Sequence, residues 1–489
     1  GYVVAGWTGS FGAGYIDFLV IKLSSTGSIE WAKTFGGPNY EYSYSIQQTN
    51  DGGYIVAGVT NSFVGGSYDF LVIKISPTGD LQWAKTFGGI NDDYGGFVQQ
   101  TNDGGYIVGG YTESFGAGIR DFLIIKLNSE GGIQWAKTFG GGNSEHASSI
   151  QQTNDGGYIV AGFTESFGAG PRDFLVIKLS STGDIQWAKT FGGTDSDSPL
   201  SIRQTNDDGY IVAGWTYSLG AGGHDILVIK LTSTGDIEWA KTFGGGDADI
   251  PSSIQQTNDG GYIVAGYTVS FGVGGYDFLI IKLTSTGDIE WAKTFGGVNH
   301  DETRSIQQTN DGGYVIAGYT ESFGVGNKDF LIIKTQDGQM ASDCPWYDQN
   351  PLITSPNILT SFPSLTSTSP NLTTLSPSFT VSSPTLSTNN VCSVIMEENT
   401  YFLKENVKLI SSIFLKDKIS LKFSGYSNEK IKIILYDVLG NEIISKTFQF
   451  NNYIEIKEEK IKKLQKGIYF LKIYLNEKEI GEFKLIKKD

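Results

Sequence analysis

The sequence predicts an all-β chain: a seven-bladed β-propeller of four-stranded blades over residues 1–338, a disordered Ser/Thr/Pro linker over 339–394, and a C-terminal Ig-like β-sandwich over 395–489. Three observations carry this reading. The Trp of a WAKTF motif recurs at Trp31, Trp83, Trp135, Trp187, Trp239 and Trp291, always 52 residues apart. Each unit divides into four strand-length segments separated by Gly-rich or Asx-rich turns. Two of those segments are apolar on successive residues, which requires a neighbour on both faces, as when sheets stack in tandem.

One unit, residues 148–193, shows the elements: A (SIQQT), B (YIVAGFT), C (DFLVIKL) and D (IQWAKTF). NDGG joins A to B and STGD joins C to D. Asn, Asp and Gly tolerate the positive φ of tight hairpin turns, so both joints read as hairpins. Tyr2, Tyr54, Tyr106, Tyr158, Tyr210, Tyr262 and Tyr314 each open a B segment. There are seven B and seven C segments but six of A and of D. A half-repeat upstream of Gly1 is therefore expected to close the ring; the alternative is a degenerate D strand within 339–347. A Trp fixed at one place in every unit is expected to dock each blade on the next.

These units resemble the tryptophan-docked blades of pyrroloquinoline-quinone-type propellers, and more closely the SIQQT-DGGYIVAG repeats of bacterial surface proteins. The resemblance implies a propeller displayed outside the cell. The residues that clamp a quinone are absent, so it does not imply the cofactor.

Function, if it lies in the repeats, is expected where the copies differ. The turns NDGG and STGD barely change, whereas the stretch after each FGG reads PNYEYSY, INDDYGG, GNSEHAS, TDSDSPL, GDADIPS and VNHDETR. In a propeller the B–C and D–A loops share one face, so this face is the expected binding surface for a glycan or a surface protein. Its candidate residues are Tyr40, Tyr42, Asp92, Asp93, Arg120, His146, Arg172, Asp195, Asp197, His224, Asp247, Asp249, His300 and Arg304. Drift in unconstrained loops would give the same pattern.

Catalytic chemistry is not visible. The three histidines, His146, His224 and His300, fall in different units without a spaced His or Cys partner, which makes them poor metal ligands. No phosphate loop, nucleophile elbow or Cys/His pair occurs, and the reading is of a protein that is not an enzyme and needs no cofactor. Asp195 with Asp197, and Asp247 with Asp249, have D-x-D spacing that admits Ca²⁺ but lack the later ligands of a calcium loop. Residues 1–394 carry 18 basic and 38 acidic residues, a net of −20, so a nucleic-acid partner is excluded on charge. No apolar run is long enough to span a bilayer.

Between Pro351 and Asn390 the chain is mostly Ser, Thr and Pro, with Pro356, Pro363, Pro370, Pro377 and Pro384 every seven residues. Such a composition buries no core and reads as an extended spacer. Cys344 and Cys392 bracket it; a disulfide between them would contribute about 4 kcal/mol in the chain-entropy model.

Residues 401–489 hold strand candidates KISLKFSG, KIKIILYDVLGNEII, NYIEI, KGIYFLKIYL and GEFKLIKK. The phrases ILYDVLGNEI (434–443) and LQKGIYFLKI (464–473) and the terminal KLIKK (484–488) resemble the C-terminal sorting domain of the type IX secretion system. That resemblance implies export to the cell surface or medium, with the secretion machinery as a partner. The expected function is a non-catalytic binding or adhesion module; a self-assembling surface-layer or filament protein is the alternative, and a hydrolase or lyase at the channel a distant third.

Overall fold

The computed structural model describes residues 1–335 except 64–66, 273 and 325–326, and beyond them residues 441 and 464 and the strands named below. Every regular element among the described residues is a β-strand. The repeats form antiparallel sheets one after another along the chain. The first holds β1 (Tyr2–Thr8), β2 (Asp17–Leu23) and β3 (Ile29–Gly36). The second holds β4 (Glu41–Gln48), β5 (Tyr54–Thr60), β6 (Asp69–Ile75) and β7 (Leu81–Gly88). The third holds β8 (Asp93–Gln100), β9 (Tyr106–Thr112), β10 (Asp121–Leu127) and β11 (Ile133–Gly140), and the fourth β12 (Glu145–Gln152), β13 (Tyr158–Thr164), β14 (Asp173–Leu179) and β15 (Ile185–Gly192). The fifth holds β16 (Asp197–Gln204), β17 (Tyr210–Thr216), β18 (Asp225–Leu231) and β19 (Ile237–Gly244), and the sixth β20 (Asp249–Gln256), β21 (Tyr262–Thr268), β22 (Asp277–Leu283) and β23 (Ile289–Phe295). The seventh holds β24 (Asp301–Gln308), β25 (Tyr314–Thr320) and β26 (Asp329–Lys334).

The first strand of each four-stranded sheet begins four residues before the SIQQT segment, inside the stretch read from sequence as loop. A bulge, for example between Ser43 and Ser45, explains the difference, because it breaks the alternation by which a strand is recognised. Tyr42, Asp93, His146, Asp197, Asp249 and Arg304 therefore stand on strands rather than in loops.

Successive sheets bury their faces on each other. Ile55, Ala57, Phe70 and Val72 of the second sheet pack with Tyr106, Val108, Leu123 and Ile125 of the third, and the pattern repeats through the array. Each buried Val, Leu, Ile or Phe side chain among them gains about 1.5–3 kcal/mol by leaving water. The apolar runs of the two middle strands follow from being covered on both sides. Phe330 and Ile332 of the seventh sheet in turn pack against Leu19, Ile21, Leu23 and Ala32 of the first.

Polar contacts repeat with the same period. The ring of Trp31 lies against Gly79 of the next sheet, where a Cβ would come within 3.1 Å of it. Its Nε1 donates to the carbonyl of Pro77 at 3.1 Å, and its face meets Tyr54 edge-on. Trp83, Trp135, Trp187, Trp239 and Trp291 make the same edge contact with the following Tyr. On the first strands the glutamines form a ladder: the backbone N–H of Gln100 donates to Gln47 and that of Asn50 donates to Gln100. Lys74 is buried and pairs with Asp51 of the turn joining β4 to β5 at 2.8 Å.

The Ser/Thr/Pro segment differs from the expected free spacer. It contributes β27 (Tyr347–Asp348), β28 (Leu352–Thr354), β29 (Leu359–Ser361), β30 (Thr366–Thr368), β31 (Thr373–Leu375) and β32 (Thr380–Ser382). These pair antiparallel with β23, β19, β15, β11, β7 and β3, in that order. A chain with too few apolar residues for a core of its own still hydrogen-bonds an open sheet edge through its backbone. Cys344 and Cys392 lie outside the described residues.

The C-terminal region contains β33 (Lys408–Phe414), β34 (Lys418–Ser424), β35 (Lys430–Asp437), β36 (Glu442–Gln449), β37 (Tyr453–Lys457), β38 (Gly467–Leu475) and β39 (Lys478–Lys487). They make two antiparallel sheets, ordered β33-β34-β37 and β36-β35-β38-β39. The run KIKIILYDVLGNEII, read as one strand candidate, is the hairpin β35–β36. Asp437 closes it: its Oδ1 accepts the N–H of Asn441 and its own N–H donates to the Asn441 carbonyl. Ile431, Ile433, Leu435, Leu471 and Ile473 are buried there.

Candidate functional site

The loops after the second and fourth strands of each unit meet on one face. The N–H of Tyr15 donates to the carbonyl of Asn39, and the N–H of Glu41 to that of Ile16; Ile119, Asn143, Glu145 and Arg120 repeat the arrangement. The variable stretches and the variable loops are thus hydrogen-bonded to one another as a single surface.

Aromatic rings run along this surface in an unbroken chain. Tyr15 stacks on Tyr40 at 5.4 Å, and Tyr40 on Tyr42 at 6.3 Å, while Trp7 meets Tyr42 edge-on at 5.6 Å. Tyr42 neighbours Tyr68, Tyr68 neighbours Tyr94, and Tyr94 stacks on Tyr111 at 5.1 Å. His146 follows, 4.6 Å from Tyr111 and 5.5 Å from Phe163. The arc crosses four sheets, and Tyr15 and Trp7 at its start are 68% and 45% exposed.

Two guanidinium groups cap the arc. Arg120 lies 4.8 Å over Tyr111 and pairs with Glu113 at 2.8 Å; Arg172 lies 4.5 Å over Phe163 and pairs with Glu165 at 2.8 Å. Each Arg lies over a ring and is paired with a carboxylate while its side chain remains 42% exposed. Burial, followed by the two guanidinium charges, lowers the His146 pKa to about 4, so it is a neutral imidazole near pH 7.

The other predicted residues separate into two kinds. His224 sits between Trp215 at 4.7 Å and Tyr217 at 5.0 Å, and His300 lies 4.4 Å from Tyr276, forming further aromatic clusters on the fifth to seventh sheets. Arg304 lies over Tyr319 and pairs with Glu302. Asp92 accepts the N–H of Tyr68 at 3.0 Å. Asp93, Asp197 and Asp249, by contrast, are fully buried and hold the FGG turns by accepting the N–H of Gly89, Gly193 and Gly245. Asp195 and Asp247 are exposed, so neither D-x-D pair presents two carboxylates to one point. Among the described residues no three His, Cys, Asp or Glu side chains gather as a metal site.

The sequence reading missed Tyr15, Tyr68, Tyr94, Tyr217 and Tyr276, and with them Trp7, Tyr111, Phe163, Trp215, Tyr267 and Tyr319. The last six occupy one position, the sixth of the second strand, where the second copy has Val59. The signal was present: the residues flanking that position are nearly constant while its ring changes identity from copy to copy.

A family model for the secretion system C-terminal sorting domain matches residues 415–488. The curated proteins contain no match. Among solved structures the chain is similar to a tetra-tandem repeat from the extending region of a large adhesion protein, at 10% identity over 93% of this chain and 94% of that one. Its TM-score of 0.12 is too low to carry an argument. No helix among the described residues is long and apolar enough to cross a membrane. The sorting domain indicates an interaction with the type IX secretion machinery, and the chain is accordingly a secreted or cell-surface protein.

Proposed function

We propose that the repeats form a closed seven-bladed propeller that acts outside the cell as a non-catalytic glycan-binding module, with the aromatic arc as its binding surface. Closure is supported by one recurring contact. Phe18 packs on Gly58 of the next sheet, Phe122 on Gly162, Phe174 on Gly214 and Phe278 on Gly318; Phe330 of the seventh sheet packs in the same way on Gly6 of the first.

The observation that carries the binding role is the row of rings from Tyr15 to Phe163, flanked by ring-stacked arginines paired with carboxylates. Aromatic faces are electron-rich and accept the C–H face of a pyranose, while fixed Arg and Glu groups hydrogen-bond its hydroxyls. A net charge of −20 over residues 1–394 favours neutral over anionic glycans. The test is a screen of the full chain against immobilised neutral oligosaccharides, beside Tyr15→Ala/Tyr40→Ala. Binding weakened about tenfold or more in the double variant supports the reading; equal binding by both proteins, or none by either, removes it.

A further inference from the structure

We propose that the Ser/Thr/Pro segment is a girdle counted in heptads, and that the outer edges of β23, β19, β15, β11, β7 and β3 are serial acceptor sites for it, one heptad to each sheet. The register is the first argument. Leu352, Leu359, Thr366, Thr373 and Thr380, each seven residues from the last, pair with Gly244, Gly192, Gly140, Gly88 and Gly36. The next residues pair with Phe243, Phe191, Phe139, Phe87 and Phe35, and the third with the preceding Thr of each KTFG. Tyr347 against Thr294 continues the same phase on the sixth sheet. Five further pairings in one phase, along a segment with its own exact period, mark a ruler rather than a chance contact.

The composition is what such a ruler needs. Each strand ends two residues before a proline: Thr354 before Pro356, Ser361 before Pro363, Thr368 before Pro370, Leu375 before Pro377 and Ser382 before Pro384. Proline has no N–H to give a ladder and ends each pairing at three residues. Thr, Ile and Val supply β-propensity at the paired positions, and an outermost strand gains backbone hydrogen bonds without an apolar partner. Five extended steps from Thr354 to Leu359 reach at most about 17 Å, which sets the spacing of neighbouring edges that a heptad serves. The segment also covers edges that would otherwise be open to pairing with other chains.

Because the girdle runs backward from the sixth sheet to the first, removing whole heptads shortens it from the first-sheet end. Hydrogen exchange of the full chain, read by mass spectrometry, tests this; peptides running from each KTFGG into its variable stretch distinguish the sheets. Deleting residues 366–372, one heptad, preserves the phase. The β3 peptide then exchanges about tenfold faster or more, while β7, β11, β15 and β19 keep wild-type protection. Deleting 369–371 breaks the phase after β30, and both β7 and β3 lose protection while β11 keeps it. Peptides from β9 and β13 report whether each variant is folded. The proposal is overturned if β3 stays as protected in the one-heptad deletion as in the wild type, or if the two deletions give the same pattern.

Discussion

The phenyl ring of Phe330, in the seventh sheet, lies so close to the Cα of Gly6, in the first, that a Cβ on Gly6 would stand 2.4 Å from its Cζ. Gly6→Ala is expected to destabilise the repeats by about 1–3 kcal/mol, the usual cost of overpacking a filled interface. Gly96→Ala is the control, since nothing lies within 4 Å of a Cβ there. Urea unfolding of the two variants measures the difference; equal midpoints would mean that the first and last sheets are not held by this contact.

A second expectation concerns pH. Asp69 is buried and stands beside Asp93, and burial followed by that charge raises its pKa to about 7 from the ordinary 3.8; Asp173 is raised to about 6, chiefly by burial. A raised carboxyl favours the folded state fully below the unfolded pKa and loses that contribution as pH climbs to the folded value. Asp51 has the opposite sign: the hydrogen bond from Lys74 lowers it to about 2, so its contribution disappears as pH falls below 3.8. The melting temperature should therefore peak near pH 4 and decline by several degrees toward pH 7. Asp69→Asn should flatten the decline, as a series of thermal melts from pH 3 to 8 would record.

Lys74 offers a test of the turn chemistry. Its side chain is 4% exposed and its ammonium is met by Asp51, the Ile75 carbonyl and Gln82. Asp51→Ala leaves a buried cation with neutral partners only. The carboxylate is half exposed, so the expected cost is about 1–2 kcal/mol rather than the larger figure for a fully buried pair. Lys74→Met in the same background should recover most of it, measured by denaturant titration.

The arc predicts a graded binding phenotype. Tyr94 joins the Tyr40–Tyr42–Tyr68 rings to Tyr111 and His146, so Tyr94→Ala should weaken binding of the longer oligosaccharides more than that of disaccharides. Phe278→Ala, far from the arc in a fully buried position, should cost about 3–5 kcal/mol of stability and leave the affinity of the folded protein unchanged. Calorimetric titration with a size series separates the two outcomes.

Much of this was legible in the residues. Strand number and turn type followed from the 52-residue period, because Gly and Asx at fixed places leave the backbone little choice, and the apolar runs announced burial on both faces. Asking where copies differ picked out Tyr40, Tyr42, Arg120, His146 and Arg172, which lie in or against the chain of rings. The buried Asp93, Asp197 and Asp249 were wrongly grouped with them, since acid at a variable-looking site and acid capping a turn read alike until the bulge places it. The heptads of residues 352–384 were visible as a period, but a period gives a spacing and not a partner. The partners repeat every 52 residues and lie far away in sequence, beyond what local pattern reports.

That same separation bears on how the molecule is made. A growing chain releases β3 long before β32, which follows every other strand of the repeats, so Thr380–Ser382 must find Thr34–Gly36 across the whole intervening run of repeats. Contacts of such range are slow to form. Refolding should accordingly show a late kinetic phase, confined to the outermost strands, after the sheet interiors have gained their protection.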